Sequence, residues 1–218
     1  MYKVLLVLFF IGLWSCAKTQ HEVGAIGGYT LSKARALYRA DHQPSFVDKD
    51  FTEFSFCHTP YIGVFYQHTH KRMILQTGFS STIIGAGNKP WSNPGDTYPW
   101  YHYYLTVPLM VGYQLPVNKH WYLNFKGGLD LGLQWGQPFI AVYGQPKYWG
   151  HIGAAAGVEL EWKRYRLGVR GMWGLTDFIV LPPFRYRHTA LTTYIGYTFY
   201  DSEKAKIRRS KRVQTERL

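Results

Sequence analysis

The chain has 218 residues, a length that favours one domain, and Lys+Arg 25 against Asp+Glu 13 leave it at +12. Only 17% of residues are charged while 18% are aromatic and 22 are glycine, which excludes disorder; two cysteines exclude a disulfide scaffold. No apolar run of about 20 residues follows residue 20, so helical membrane spans are excluded as well.

The first segment is Met1-Tyr2-Lys3, then the apolar run Val4 to Trp14, then the small residues Ser15-Cys16-Ala17. That order predicts a secretory signal peptide over 1–17. Ser15-x-Ala17 suits ordinary cleavage before Lys18, whereas Leu13-Trp14-Ser15-Cys16 suits a lipobox in which Cys16 is lipidated, against which Trp14 is bulky. Either route leaves Cys57 alone in the mature chain, so no intramolecular disulfide is expected.

From residue 21 to 200 the pattern has a period of two, the mark of strands with unlike faces. Eight segments are predicted: 22–33, 54–68, 72–86, 101–115, 120–135, 148–162, 165–177 and 187–200. In the fourth, Tyr101, Tyr103, Leu105, Val107, Leu109, Val111, Tyr113 and Leu115 alternate with His102, Tyr104, Thr106, Pro108, Met110, Gly112 and Gln114. Short links (Thr69-His70-Lys71, Pro116 to Lys119, Lys163-Arg164) alternate with long ones at about 34–53, 87–100, 136–147 and 178–186. Tight turns at one end and long loops at the other are the plan of an eight-stranded antiparallel up-and-down transmembrane β-barrel, all-β, with both termini on the periplasmic side.

A soluble barrel would turn its charged face to water. Here the polar face is mostly Gly, Thr, Gln, His and Tyr with a few charges of both signs, which suits a packed lumen. If Lys163-Arg164 is a two-residue turn, Trp162 faces Tyr165 and Glu161 faces Arg166, both of the latter inward. Lys126, Asp130, Glu159 and Arg170 extend the expected lumen charge network, since a charge in low dielectric needs a neighbour. Trp121 and Trp135 lie fourteen positions apart on the outward face. That is roughly 35 Å along the axis at a strand tilt of about 40°, the spacing of two aromatic girdles. Trp162 and Tyr165 join the first girdle, Tyr101 and Tyr148 the second.

Tyr104-Leu105-Thr106-Val107-Pro108-Leu109-Met110-Val111-Gly112-Tyr113 resembles a strand shared by outer-membrane β-barrel proteins of Bacteroidota, the PorT-like or porin family. Tyr122 to Gly128 and Glu22 to Gly28 are similar to further family segments, and Thr106 stands where an acidic residue is common there. The resemblance implies fold and compartment, the cell outer membrane, and no particular activity. Tyr194 to Tyr200 looks like the aromatic last strand that barrel-insertion machinery reads.

Residues 201–218 carry seven Lys and Arg against Asp201, Glu203 and Glu216, a net of +4 without apolar periodicity. This predicts a flexible basic tail able to meet anionic headgroups or a periplasmic protein; outer-membrane lipid is an expected partner and nucleic acid is not. His102, His151 and His188 open three strands at the long-loop end with inward parity, the pattern that would bring imidazoles to a transition metal. Alternate strands lie about 10 Å apart, so lumen histidines without a metal are the plainer expectation. His68 and His70 sit beside a turn, where surface residues are the default. Ser80, Ser81 and the histidines show no triad spacing, and Cys57-His58 point to opposite faces. The reading is a non-enzymatic membrane anchor or interaction platform with a packed polar lumen and no cofactor. Its alternatives are a lipid-modifying outer-membrane enzyme and a soluble periplasmic lipid-binding barrel.

Overall fold

The computed structural model describes residues 19–38, 54–88, 98–136, 150–176, 179–181 and 184–202. Eight long strands form there: β1 (Thr19–Tyr38), β3 (Cys57–His70), β4 (Met73–Asn88), β5 (Tyr98–Pro116), β6 (Trp121–Gly136), β7 (Gly150–Trp162), β8 (Tyr165–Gly174) and β10 (Phe184–Asp201). Two stubs, β2 (Phe54–Ser55) and β9 (Ile179–Leu181), pair with β4 and β10 near the long-loop end. Each long strand pairs antiparallel with its neighbours in chain order, and β1 pairs with β10 to close the sheet. This is the predicted up-and-down barrel. Closure satisfies the backbone donors and acceptors of both end strands, which an open edge in lipid could not do.

The strands run past most of the expected bounds, because pairing continues beyond the stretch where alternation is visible. β1 starts at Thr19 and extends to Tyr38, held against β10 from Glu22↔Asp201 to Tyr38↔Phe184 with a register shift at Val23/Gly24. The segment expected at 54–68 is split at Phe56, and the one expected at 165–177 ends at Gly174. There the chain turns across to β7: Leu175 N donates to Ile152 O at 2.7 Å, and Ile152 N donates to Thr176 Oγ1 at 2.9 Å. The first short link is Lys71-Arg72, with His70 facing Met73 inside the ladder. Lys71 and Lys163 each open a two-residue turn with positive φ, 56° and 58°. The second turn sets Trp162 against Tyr165 and Glu161 against Arg166, the register expected of it. In the remaining short link, Asn118 Oδ1 accepts from the backbone N of His120 (2.9 Å) and of Trp121 (3.0 Å).

Alternation becomes inside and outside. Thr106, Met110, Asn124, Lys126, Asp130, His151, Glu159, Glu161 and Arg166 are buried, while Leu105, Leu109, Val111, Phe125, Leu129, Ile152, Val158, Leu167 and Val169 are exposed outside. Residues 1–18 and 203–218, with the expected signal segment and nearly all of the basic tail, lie outside the described residues, as does Tyr148. The side chains of Tyr101, His102 and Trp135 lie outside them too.

Glycine is required where neighbouring strands crowd. A Cβ on Gly128 would run into the carbonyl oxygen of Leu109, whereas one on Gly127 would have open space, with Ala155 O 3.8 Å away. Gly128→Val is therefore expected to abolish the compact, faster-migrating form in unheated gels, and Gly127→Ala to leave it intact; equal behaviour of the two would refute the close approach of β5 and β6.

Candidate functional site

The described interior is filled by side chains in three levels. The level nearest the short turns centres on Arg166, whose side chain is 0% exposed. β8 presents it inward one residue after Tyr165, so it enters the barrel directly above the Lys163-Arg164 turn. Its guanidinium donates from Nη1 to Gln67 Oε1 and Glu159 Oε1, both at 2.8 Å, and from Nη2 to Glu22 Oε2. Nε reaches Thr198 Oγ1 at 3.2 Å, Glu161 Oε2 lies 3.5 Å from Nη2, and the Phe65 ring lies 4.5 Å below. Lys126 Nζ donates to Glu159 Oε1 (2.7 Å) and Gln76 Oε1 (2.6 Å). Asn124 Nδ2 bridges Glu159 and Glu161 at 3.1 Å each, and Gln114 Nε2 reaches Glu161 at 3.4 Å. All eight long strands contribute to this level.

Above it, Arg170 Nη2 pairs with Asp130 Oδ2 at 3.3 Å and donates to Tyr61 Oη at 3.2 Å. Tyr194 Oη ties the two levels together, donating to Glu159 Oε2 at 3.0 Å. Thr30 with Thr192 (2.9 Å) and Ser80 with Thr106 (2.6 Å) satisfy one another at mid-height. Nearest the long loops, Tyr104, His151 and His188 form a ring cluster over Ile84, Met172 and Ala190. Two of the three histidines singled out from sequence thus meet, His151 and His188 with centroids 6.1 Å apart, although β8 separates their strands. The wall of so narrow a barrel curves enough to aim both rings at one axis, which the flat-sheet spacing of about 10 Å does not anticipate. Among the described residues, no three His, Cys, Asp or Glu side chains gather closely enough to hold a metal ion.

The six residues of the expected charge network all lie in the lumen, but their pairing differs from the simplest arithmetic. Arg166 faces Glu161 in register yet sits closer to Glu22 and Glu159. Glu22, Gln67, Gln76, Asn124, Gln114, Tyr61 and Tyr194 join the network without having been singled out. Inward parity marks each of them as a lumen residue, but only closure of the barrel brings Glu22 of the first strand to Arg166.

Outside, an apolar belt surrounds the barrel, with side chains such as Ile62 and Ile195 67% and 66% exposed. At the short-turn end it finishes in a continuous aromatic row. Trp121 stacks on Trp162 (5.7 Å), Trp162 on Tyr165 (5.9 Å), and Tyr165 meets Tyr197 edge-on (5.4 Å). Cations sit at its rim: Lys163 Nζ lies 4.7 Å from the Trp162 ring, Arg164 donates to Tyr197 Oη and Arg72 to Tyr113 Oη, each at 3.2 Å. Amphipathic rings with basic residues beyond them are the chemistry of a hydrocarbon boundary. Ser80 points inward and Ser81 outward, and Cys57 is buried while His58 is exposed, so neither adjacent pair forms a unit.

No family model and no curated protein sequence matches the chain. Solved structures do. The outer membrane protein OprG from Pseudomonas aeruginosa aligns at a TM-score of 0.50 and 9% identity over 82% of this chain and 96% of that one. The attachment invasion locus protein Ail of Yersinia pestis, in complex with the heparin analogue sucrose octasulfate, aligns at 0.42 and 13% over 84% and 100%. The outer membrane protease OmpT of Escherichia coli aligns at 0.34 and 8% over 83% and 96%. The likeness to OprG, at 9% identity, is one of fold, the closed antiparallel β-barrel of an outer-membrane protein.

Replacing Arg166 by Leu would leave Glu22 and Glu159 in the lumen without their guanidinium. The expected loss is about 3–5 kcal/mol in urea unfolding of the detergent-folded barrel, the cost of breaking a buried ion pair on one side. Arg166→Lys should recover only part of it, because a point charge cannot reproduce the forked contacts. A loss below about 1 kcal/mol for Arg166→Leu would show that water reaches these carboxylates.

Proposed function

We propose that the protein is an integral outer-membrane barrel that works as a membrane anchor or interaction platform, without catalysis and without a general diffusion pore. The observation that carries this reading is the contrast between the two faces: an apolar, girdled exterior around a lumen whose charges, on β1, β6, β7 and β8, are paired with one another. An eight-stranded wall leaves an interior that side chains can fill, so solute flow has no room built for it. A soluble lipid-binding barrel would carry these faces reversed.

In this reading the short turns and both chain ends face the periplasm and the long loops face outward, as the alternation of turn lengths and the basic residues at the short-turn rim support. Partners are then met through the long loops, or through the basic segment at 201–218, which suits anionic headgroups or an acidic face of a periplasmic protein. The resemblance of the Tyr104 to Tyr113 strand to Bacteroidota barrels supports a PorT-like relative in this compartment. Lipid modification is the competing activity, and no nucleophile–base–orienter set among the described residues supports it.

Fractionation of cells expressing the full chain tests the placement. We expect the protein in outer membranes, with heat-modifiable mobility, and planar-bilayer recordings without porin-like steps. A soluble periplasmic protein, or steady ohmic conductance from the folded barrel, would overturn the reading.

A further inference from the structure

The level nearest the long loops holds a cluster that the anchor role does not use. His151 and His188 are each 1% exposed and Met172 is 5% exposed, on β7, β10 and β8. His151 Nε2 lies 3.4 Å from Met172 Sδ, and His151 Nδ1 has no hydrogen-bond partner. The described contacts of this buried imidazole thus put a thioether on one nitrogen and nothing on the other, which purely structural histidines avoid. Tyr104 packs on both imidazoles, with centroids 5.7 and 6.0 Å away, and limits their rotation.

The space between the donors is kept open by glycine. A Cβ on Gly153 would crowd Met172 Cγ (3.0 Å), His151 Nε2 (3.1 Å) and Met172 Sδ (3.3 Å), so both donor atoms border one recess too small for a methyl group. A Cβ on Gly174 would meet the His188 backbone first (O 2.9 Å, N 3.1 Å) and then His151 Cε1 at 3.3 Å, so glycine there lets β8 approach β10 beside the cluster.

We propose that His151, His188 and Met172 bind one cuprous ion in this recess. Metal–nitrogen bonds near 2.0 Å and metal–sulfur bonds near 2.3 Å place N and S ligands roughly 3.5–3.7 Å apart, close to the spacing of Nε2 and Sδ. Two imidazoles on one ion have ring centroids roughly 5.5–6 Å apart, close to the 6.1 Å of His151 and His188. The donor set selects the metal. Among the described residues the donors at the recess are a thioether and two imidazoles, a soft and uncharged set that suits Cu(I) and disfavours Zn²⁺ or a harder ion. Met172 supplies a donor beside two of the three histidines that share inward parity in the sequence. The site sits at the end where the long loops join the barrel, so the ion enters from that side and never crosses the ion-paired level below.

The test uses the full chain folded in detergent, each variant checked for heat-modifiable mobility. Under reducing, oxygen-free conditions we expect the protein to withdraw one Cu(I) per chain from a chromogenic bicinchoninate complex, and to take up no Zn²⁺ at this site. Met172→Leu and Gly153→Ala should each weaken binding at least tenfold, the first by removing a ligand and the second by filling the recess. His68, expected at the surface but 3% exposed, pairs with His21 near the short-turn end (ring centroids 4.8 Å apart), and His68→Gln there should change nothing. In a Cys16→Ser/Cys57→Ser background, X-ray absorption of the copper form should show one sulfur neighbour at about 2.3 Å. That measurement decides the matter even if Met172→Leu does not fold. No withdrawal of copper by the folded wild type, unchanged affinity in both Met172→Leu and Gly153→Ala, or a copper form without sulfur would each overturn the proposal.

Discussion

The pairing of β1 with β10 is the constraint from which the rest of the molecule follows. In hydrocarbon an unpaired backbone N–H or C=O costs several kcal/mol, so a sheet can cross a membrane only if it has no edge. Closure with eight strands fixes a small diameter. A small diameter makes inward side chains meet across the lumen as well as along the wall. Charges placed there need partners, and the partners come from every strand: Glu22 from the first, Glu159 from β7, Arg166 from β8, with Gln67, Gln76, Gln114, Lys126 and Thr198 completing the set.

The two faces therefore carry different kinds of information. Outside, chemistry is generic: aliphatic side chains in the belt and stacked rings at the boundary, where one large apolar residue serves nearly as well as another. Inside, chemistry is specific, because four carboxylates (Glu22, Asp130, Glu159, Glu161) meet three cations (Lys126, Arg166, Arg170) under geometric restrictions that do not tolerate exchange. Asp130 keeps Oδ1 without a hydrogen-bond partner, so the pairing is tight and still not complete.

Much of this was legible in the sequence, for a physical reason. Period two is a local property, so strands, faces and the Lys163-Arg164 turn could be read from neighbouring residues alone. Glu161 opposite Arg166 followed from that turn by counting. Glu22 beside Arg166 could not be counted, since it depends on closure between residues far apart in the chain. Flat-sheet spacing holds His151 and His188 about 10 Å apart, whereas the strongly curved wall brings their ring centroids to 6.1 Å. Met172 carries no signal in the sequence: a methionine in a strand reads as filler, and only the fold sets a buried imidazole 3.4 Å from its sulfur. Strand ends ran long because alternation fades where pairing persists.

The seam also bears on how such a chain can reach its final state. Its contacts join the two ends of the barrel sequence, the largest separation available, so they form late and slowly. Until they do, Arg166 lacks Glu22 and keeps only its β7 partners Glu159 and Glu161, and a half-built sheet in the bilayer would hold this charge cluster beside acyl chains. Stepwise strand-by-strand entry into lipid is thereby penalised. Association of the two terminal strands and neutralisation of the interior become one cooperative event, and an assembly factor that holds the first and last strands together until they zip would act on the slowest step.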